Sequence, residues 1–354
     1  MTVSMVAVHV GRSGRLDVHE QWEEIGREDI ELWKQATSII GAWSYSHKNV
    51  EAVVECDFCS FVELHKASAR LNHAIHNNLD LTHSMMDSVM TPVVEFFVKV
   101  SLEGKEDSAK YEGYCSYFVE KFLYDVFLMM NLSRPGVCDF MNIRIDSGRG
   151  MFTQLHLSGD CFESSFHKSL KNTHLSPIVL PLVSVVPWYR RLDLGVSQKA
   201  ETGVEKALFS VLHICCGKDA DVTWVVWAFH ALEAIYGTRV GEGFTNLVDR
   251  ISKFLNLEPQ AKNFLKRNLR EMYNYRSSFV HGGYKVQHPM RNEIMDDRLN
   301  DDYSKLLDIM QFGFDLVVVS LQGLIANNWY GIKVEERLSG LMSRDLLSEP
   351  PLGG

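Results

Sequence analysis

The chain has no uninterrupted apolar run near the roughly 20 residues that a membrane-spanning helix needs. Its first residues, Met1 to Arg12, mix Val with Ser, His and Arg and offer no long apolar signal core. Both absences argue against a membrane-borne or exported protein and point to the cytoplasm. The seven cysteines are scattered, odd in number and without disulfide-like spacing, which excludes a stapled secreted scaffold and fits a reducing compartment. An excess of positive charge is also missing. Lys and Arg number 36 against 45 Asp and Glu, a net charge of −9, so the chain does not coat nucleic acid through overall charge. Any nucleic-acid reading must therefore find a local basic groove. No repeat at solenoid periods appears, and no Gly-x-Ser-x-Gly elbow, His-Glu-x-x-His or Walker motif. Gly237, Gly241 and Gly243 follow a helical stretch rather than a strand and read as a turn, not a phosphate cradle.

What is present is a soluble, globular composition, 46% hydrophobic and 23% charged, over 354 residues, enough for one large domain or, as the organisation of the chain suggests, two. The first half predicts mixed α and β structure. Strand-like runs lie at Met5 to Val10, Val53 to Leu64, Val93 to Leu102, Asp139 to Asp146 and Phe152 to Leu157. Helices are expected at Glu20 to Lys34 and at Ser108 to Leu132, the latter with Asp107 or Ser108 as N-cap and with Tyr114, Phe118 and Phe122 as core. Pro177, Pro181 and Pro187 stop any helix between 172 and 187, which places a domain junction between there and Thr202. Beyond it only helices are read: Glu201 to Cys216, Val222 to Tyr236, Gly243 to Leu255, Gln260 to Val280 and Asp301 to Trp329. The expected fold class is α+β, with a mixed α/β domain over 1–195, an antiparallel helical bundle over 196–335 and a frayed tail over 336–354.

Two of these helices carry more than a core requires. At about 100° per residue, Leu265, Leu269, Met272, Phe279 and Val280 share one stripe of the helix ending at Val280, and Arg276 sits inside that stripe. A guanidinium on an inward face needs an anionic or carbonyl partner. The helix Val222 to Tyr236 is apolar on every side, and its only ionisable residues after the first turn are His230 and Glu233. The economical expectation is that Glu233 and Arg276 meet. His281 follows five residues after Arg276, at the helix end marked by Gly282 and Gly283. A regular helix turns it about 140° away from Arg276, so joint action needs a distorted last turn or a second subunit.

The stretch Tyr275 to Gly282, Tyr-Arg-Ser-Ser-Phe-Val-His-Gly, resembles the Arg-x4-His signature of HEPN-superfamily ribonucleases. The upstream Ala231-Leu232-Glu233 on an aromatic-rich helix is similar to the Apea-like branch of bacterial anti-phage defence, and the resemblance covers about 130 residues of the C-terminal part. It implies a homodimer in which two motif helices build one composite site. His281 would be the general base on a ribose 2′-OH, and Arg276 would hold the scissile phosphate with Glu233 orienting it. The products would be a 2′,3′-cyclic phosphate and a 5′-OH, with no metal or other cofactor, and the 2′-OH requirement would select RNA, tRNA or mRNA, over DNA. Ser277 stands where the superfamily often has Asn, Asp or His, and its hydroxyl can also position a phosphate. Tyr284 is one residue out of register with the tyrosine of a modified subgroup.

The local basic groove is sought on the same helix, where Lys262, Lys266 and Arg270 are spaced i, i+4, i+8 and Arg267 is adjacent. The same residues also read as a solvated face. Cys56 and Cys59, with His65, His73 or His76, have the count for a zinc site, but their stretch reads as a strand, on which the two thiols would not face one way. No metal is assigned. Two function classes follow: a toxin-like ribonuclease of abortive infection, whose N-terminal domain senses a phage-derived or protein trigger or restrains the site, or a non-catalytic module binding nucleotide, RNA or a protein. Loss of His281 separates them.

Overall fold

The computed structural model describes residues 2–10, 21–77, 79, 94–104, 108–146, 152–170, 175–217, 219–238, 244–288, 290, 294–296 and 298–335. The expected tail and the turn at Gly241 and Gly243 lie outside these residues. The architecture is α+β. Among the described residues six strands form one sheet: β1 (Thr2–Val10), β2 (Ala42–His47), β3 (Val50–Cys56), β4 (Val94–Gly104), β5 (Phe140–Asp146) and β6 (Phe152–Leu157). Their order is β2-β3-β4-β1-β5-β6, every pairing is antiparallel, and Val6 lies opposite Val98 at the centre.

Alternation decides which face of the sheet is covered. Val6, Val8 and Val10 of β1, Val50, Ala52 and Val54 of β3, and Val94, Phe96, Val98 and Val100 of β4 are all buried on one side. Three helices cover that side: α1 (Trp22–Ile39), α2 (Cys59–His76) and α3 (Ser108–Ser133). Helix α3 runs through the middle of the core. Phe118, Phe122, Val126 and Phe127 are fully buried.

Three expectations for this half need correction. The run Val53 to Leu64 is not one strand. It breaks at Asp57 and Phe58, where the Asp57 carboxylate accepts from the Cys59 N–H at 2.9 Å and opens α2. Cys56 therefore ends a strand and is buried, while Cys59 begins a helix and is exposed. The proline-rich stretch is not free of helix, since α5 (Leu182–Arg191) includes Pro187 within it. The third correction is α4 (Asp160–Ser169), a helix that the periodicity did not reveal.

Five helices follow among the described residues: α6 (Gly203–Cys215), α7 (Thr223–Tyr236), α8 (Phe244–Phe254), α9 (Pro259–Val280) and α10 (Arg298–Ala326). Each bound lies within three residues of the sequence expectation. Local signals explain why. Thr202 and Glu205 form a reciprocal capping box on α6, Pro259 occupies the first turn of α9, and Gly237 closes α7 in the left-handed region. Helix α7 packs against α6, α8, α9 and α10.

One hydrophobic core runs through both halves, from Val6 to Ile325. Polar contacts cross the expected junction as well. Asp315 of α10 accepts from Ser165 Oγ of α4 at 2.5 Å, and Gln322 Nε2 donates to the Leu132 and Ile178 carbonyls at 3.0 and 2.6 Å. Helix α10 is also the one described helix long and apolar enough to cross a membrane, but 78% of that stretch is buried inside the protein. Its apolar surface is therefore already covered by this chain.

Candidate functional site

Helix α7 buries Val225, Ala228, Phe229, Leu232 and Ile235 and leaves Val226, Trp227, His230 and Glu233 on an open side. It is thus not enclosed all round, as its apolar sequence suggested. Helix α9 buries Leu265, Leu269 and Met272 and then runs past the packed region, so that Phe279 is 38% and Val280 57% exposed. The expected inward stripe ends at Met272.

Glu233 and Arg276 do meet. Arg276 Nη2 lies 3.9 Å from Glu233 Oε2, with each side chain 36% exposed, so the pair sits at a solvent rim and not inside a core. The Arg276 guanidinium also lies 5.7 Å from the centre of the Phe229 ring. A pocket of about 220 Å³ forms here, lined by Val226, Trp227, His230, Glu233 and Arg276. His213 of α6 stacks on Trp227 at 4.1 Å and 3°, and His230 meets the same indole edge-on at 6.4 Å. Desolvation on that stack lowers the pKa of His213. Sequence reasoning missed Trp227 and His213. The signal for Trp227 was available, because Trp227, His230 and Glu233 follow one another at i, i+3 spacing, which makes each the neighbour of the next on the helix surface.

His281 is the C-cap residue of α9 and is exposed. Its N–H donates to the Ser277 carbonyl at 3.0 Å. Gly282 then takes φ +75°, and the N–H groups of Gly283 and Tyr284 both donate to the Ser278 carbonyl, at 2.7 and 3.0 Å. This reversal lays Tyr284 against Phe279 and Tyr275, at ring separations of 6.0 and 6.5 Å. The helix is regular through Val280, and no hydrogen bond joins His281 to Arg276. His281 does not line the 220 Å³ pocket. Ser277 is half-buried, and its hydroxyl has no hydrogen bond among the described residues. Beside the helix end lies a larger cleft, about 980 Å³, bordered by Tyr275, Ser278, Tyr284, Lys285, His288 and Asp296.

The four basic residues of α9 do not make one track. Lys262 is paired with Asp249 at 2.8 Å, and this hydrogen bond holds the Asp249 carboxyl below its usual value. Arg270 lies over the Phe244 ring at 4.2 Å and Arg267 over Phe264 at 5.6 Å, both exposed like Lys266. At 100° per residue, Arg267 stands about 180° around the helix from Arg276. Lys266 and Arg270 are therefore the exposed, unpaired cations nearer to its side. Among the described residues, no group of three or more His, Cys, Asp or Glu side chains is placed to hold a metal ion. Compared with protein-family models, with curated proteins and with solved structures, the chain matches none.

Proposed function

We propose that this chain is a HEPN-type endoribonuclease that cleaves RNA without a metal, with Arg276 and His281 catalytic and Glu233 positioning Arg276. The observation that carries the reading is the Glu233–Arg276 contact. It joins the two helices on which the resemblance rests, beside an open pocket rather than within a sealed core. Deprotonated His281 would take the proton of a ribose 2′-OH. The 2′-oxygen would attack the adjacent phosphorus while the bond to the 5′-oxygen breaks and that oxygen takes up a proton. A 2′,3′-cyclic phosphate and a 5′-OH result. Arg276 would hold the two non-bridging oxygens as their charge develops, and the Ser277 hydroxyl would assist in positioning them. Lys266 and Arg270, with Lys262 and Arg267 beside them, would approach the RNA backbone.

Within one chain, α9 turns His281 away from Arg276, so the complete site is proposed to form between two copies of the chain, with the exposed Phe279 and Val280 beside the contact. Cytoplasmic action in anti-phage defence, tRNA or mRNA as substrate, and a phage-derived or protein trigger sensed by the first half belong to the same proposal. The second reading is a non-catalytic module that binds nucleotide, RNA or a protein, and the separation of His281 from Arg276 within one chain favours it. The two are distinguished by incubating a tRNA and mRNA mixture with wild type, His281→Ala and Arg276→Ala in EDTA. The ribonuclease reading expects cyclic-phosphate ends from wild type alone. Equal cutting by either folded variant removes that residue from the mechanism, and an inert wild type favours the binding module.

A further inference from the structure

A separate cavity of about 430 Å³ opens where α3, the α5–α6 connection and α6 come together. Its floor is a closed polar set. Asp125, 2% exposed, accepts from Tyr45 Oη at 2.6 Å and from Tyr189 Oη at 2.7 Å and is paired with Lys121. Both Asp125 oxygens and the Lys121 charge are thereby satisfied. Tyr117 Oη donates to the Val196 carbonyl at 3.2 Å and accepts from the Gln198 amide at 2.7 Å, which ties the connecting loop down as one wall. Tyr124, Phe209 and Leu212 supply a largely apolar lining.

Glu120 breaks this pattern. It lines the same cavity, is half-buried, and has no hydrogen bond or ion pair among the described residues. Burial alone raises its pKa. A carboxyl partly withdrawn from water without a partner is better accommodated when something that donates to it arrives. The one neighbouring cation in the lining, Lys121, is already engaged by Asp125, so an anion finds no counter-charge here. The volume lies within the roughly 300–1,000 Å³ of small-molecule pockets.

We infer that this cavity binds a small organic cation, an ammonium or guanidinium on a compact body, with Glu120 as counter-ion and the rings of Tyr117, Tyr124 and Phe209 around it. Tyrosine and phenylalanine faces attract such a cation, and the carboxylate accepts its N–H groups. The cavity also reaches the candidate site. His213 is in its lining, and the His213 ring stacks on Trp227, which borders the pocket of Glu233 and Arg276. Resting on the ribonuclease reading, an occupant touching His213 would bias the site through that stack; the binding itself does not depend on that reading.

The test is calorimetric titration of the full chain at neutral pH with agmatine, spermidine and guanosine, repeated on Glu120→Gln and Phe209→Leu. Agmatine or spermidine should bind one to one. Glu120→Gln should weaken that binding about tenfold or more by removing a charge-assisted acceptor, and Phe209→Leu, which leaves Glu120 in place, should weaken it to a smaller extent. Tryptophan fluorescence should respond to the amine in wild type and respond less in Trp227→Phe. The inference is overturned if neither amine binds at millimolar concentration, if folded Glu120→Gln binds as wild type does, or if guanosine alone binds. Since binding is the readout, an absence of RNA cleavage would count against the ribonuclease reading and leave this one standing.

Discussion

On the ribonuclease reading, Arg276→Ala should separate stability from activity, and the structure gives the size of the stability loss. The replaced side chain is 36% exposed, and its contact with Glu233 is 3.9 Å long. Exposed ion pairs of this kind contribute about 0.2–1 kcal/mol. The guanidinium 5.7 Å from the Phe229 ring adds about 0.5–1 kcal/mol as a solvent-accessible cation–π contact. The combined loss is then about 2 kcal/mol at most, against a total stability on the order of 5–15 kcal/mol. The variant stays folded, and its melting temperature falls by a few degrees. Catalysis should respond far more strongly. Removing one preorganised donor from a developing oxyanion costs about 10²–10³ in rate. Initial rates of RNA cleavage in EDTA and thermal unfolding, taken on the same preparations, read both quantities. A folded Arg276→Ala that cuts within a few-fold of wild type would refute the role in catalysis. A collapse of the fold would refute the reasoning in the opposite direction, by making Arg276 a structural arginine.

Arg134 provides the contrast, because its side chain is 3% exposed and donates to Asp29 at 2.5 Å and Glu28 at 2.7 Å. Arg134→Ala leaves Asp29 buried and should cost about 3–5 kcal/mol in denaturant unfolding; an unchanged midpoint would contradict this. Gly203→Ala should cost about 1–3 kcal/mol, since a Cβ there would stand 2.1 Å from the Ala234 carbonyl oxygen and force α6 and α7 apart. Equal urea midpoints for the variant and wild type would rule out so close an approach. Burial raises the pKa of Asp315 although Lys168, Ser165 and Gln311 oppose the rise, so the folded state holds this proton more tightly than the unfolded state. Its contribution to stability therefore falls as pH rises from about 3.9 to the raised value and is constant above it. The wild-type minus Asp315→Asn stability difference should decline across that window, and parallel pH curves would show that the carboxyl is not perturbed.

The elements that the sequence disclosed are those whose burial follows one period from end to end. Strand β6 was read with its observed limits, and α3, α6 and α7 nearly so. The Thr202 capping box on α6 and the Gly237 stop on α7 agree with the apolar spacing, while Asp107, one of the two N-caps expected for α3, lies outside the described residues. Helix α2 was hidden. Its first turn continues the apolar run of β3, and the break is marked only by local contacts, the Asp57 carboxylate accepting from the Cys59 N–H and Thr37 Oγ1 from the Phe58 N–H. Helix α5 was hidden by Pro187, whose ring was taken to stop a helix and instead lies inside a short one. The stripe on α9 was overextended. Phe279 and Val280 continue its period, but among the described residues no neighbouring element buries them. Periodicity reports which residues share a face; it does not report where the neighbouring helix ends. The Glu233–Arg276 meeting was legible because two isolated charges lay on otherwise apolar faces. The Trp227–His213 stack was not, since it depends on how α6 packs against α7.

The same packing explains how a rim site can still be positioned. Asp125, Arg134 and Asp315 are each at most 7% exposed and hold two or more partners. Shifting any of them would leave a buried charge unsatisfied, so the frame that carries α3, α4, α5 and α10 resists displacement. Helix α7 is packed against α10 of that frame and buries Ala228, Phe229 and Leu232, which leaves its open side little freedom to move as a backbone. The freedom that remains belongs to side chains. Glu233 and Arg276 are partly exposed and 3.9 Å apart, so on the proposed reading letting go of one another for a phosphate would cost little. A sealed pair such as Arg134–Asp29 could not exchange partners on those terms. On the proposed reading, recognition of a phosphate would use a firmly packed helix face and a loosely held arginine, and these two properties come from different parts of the chain.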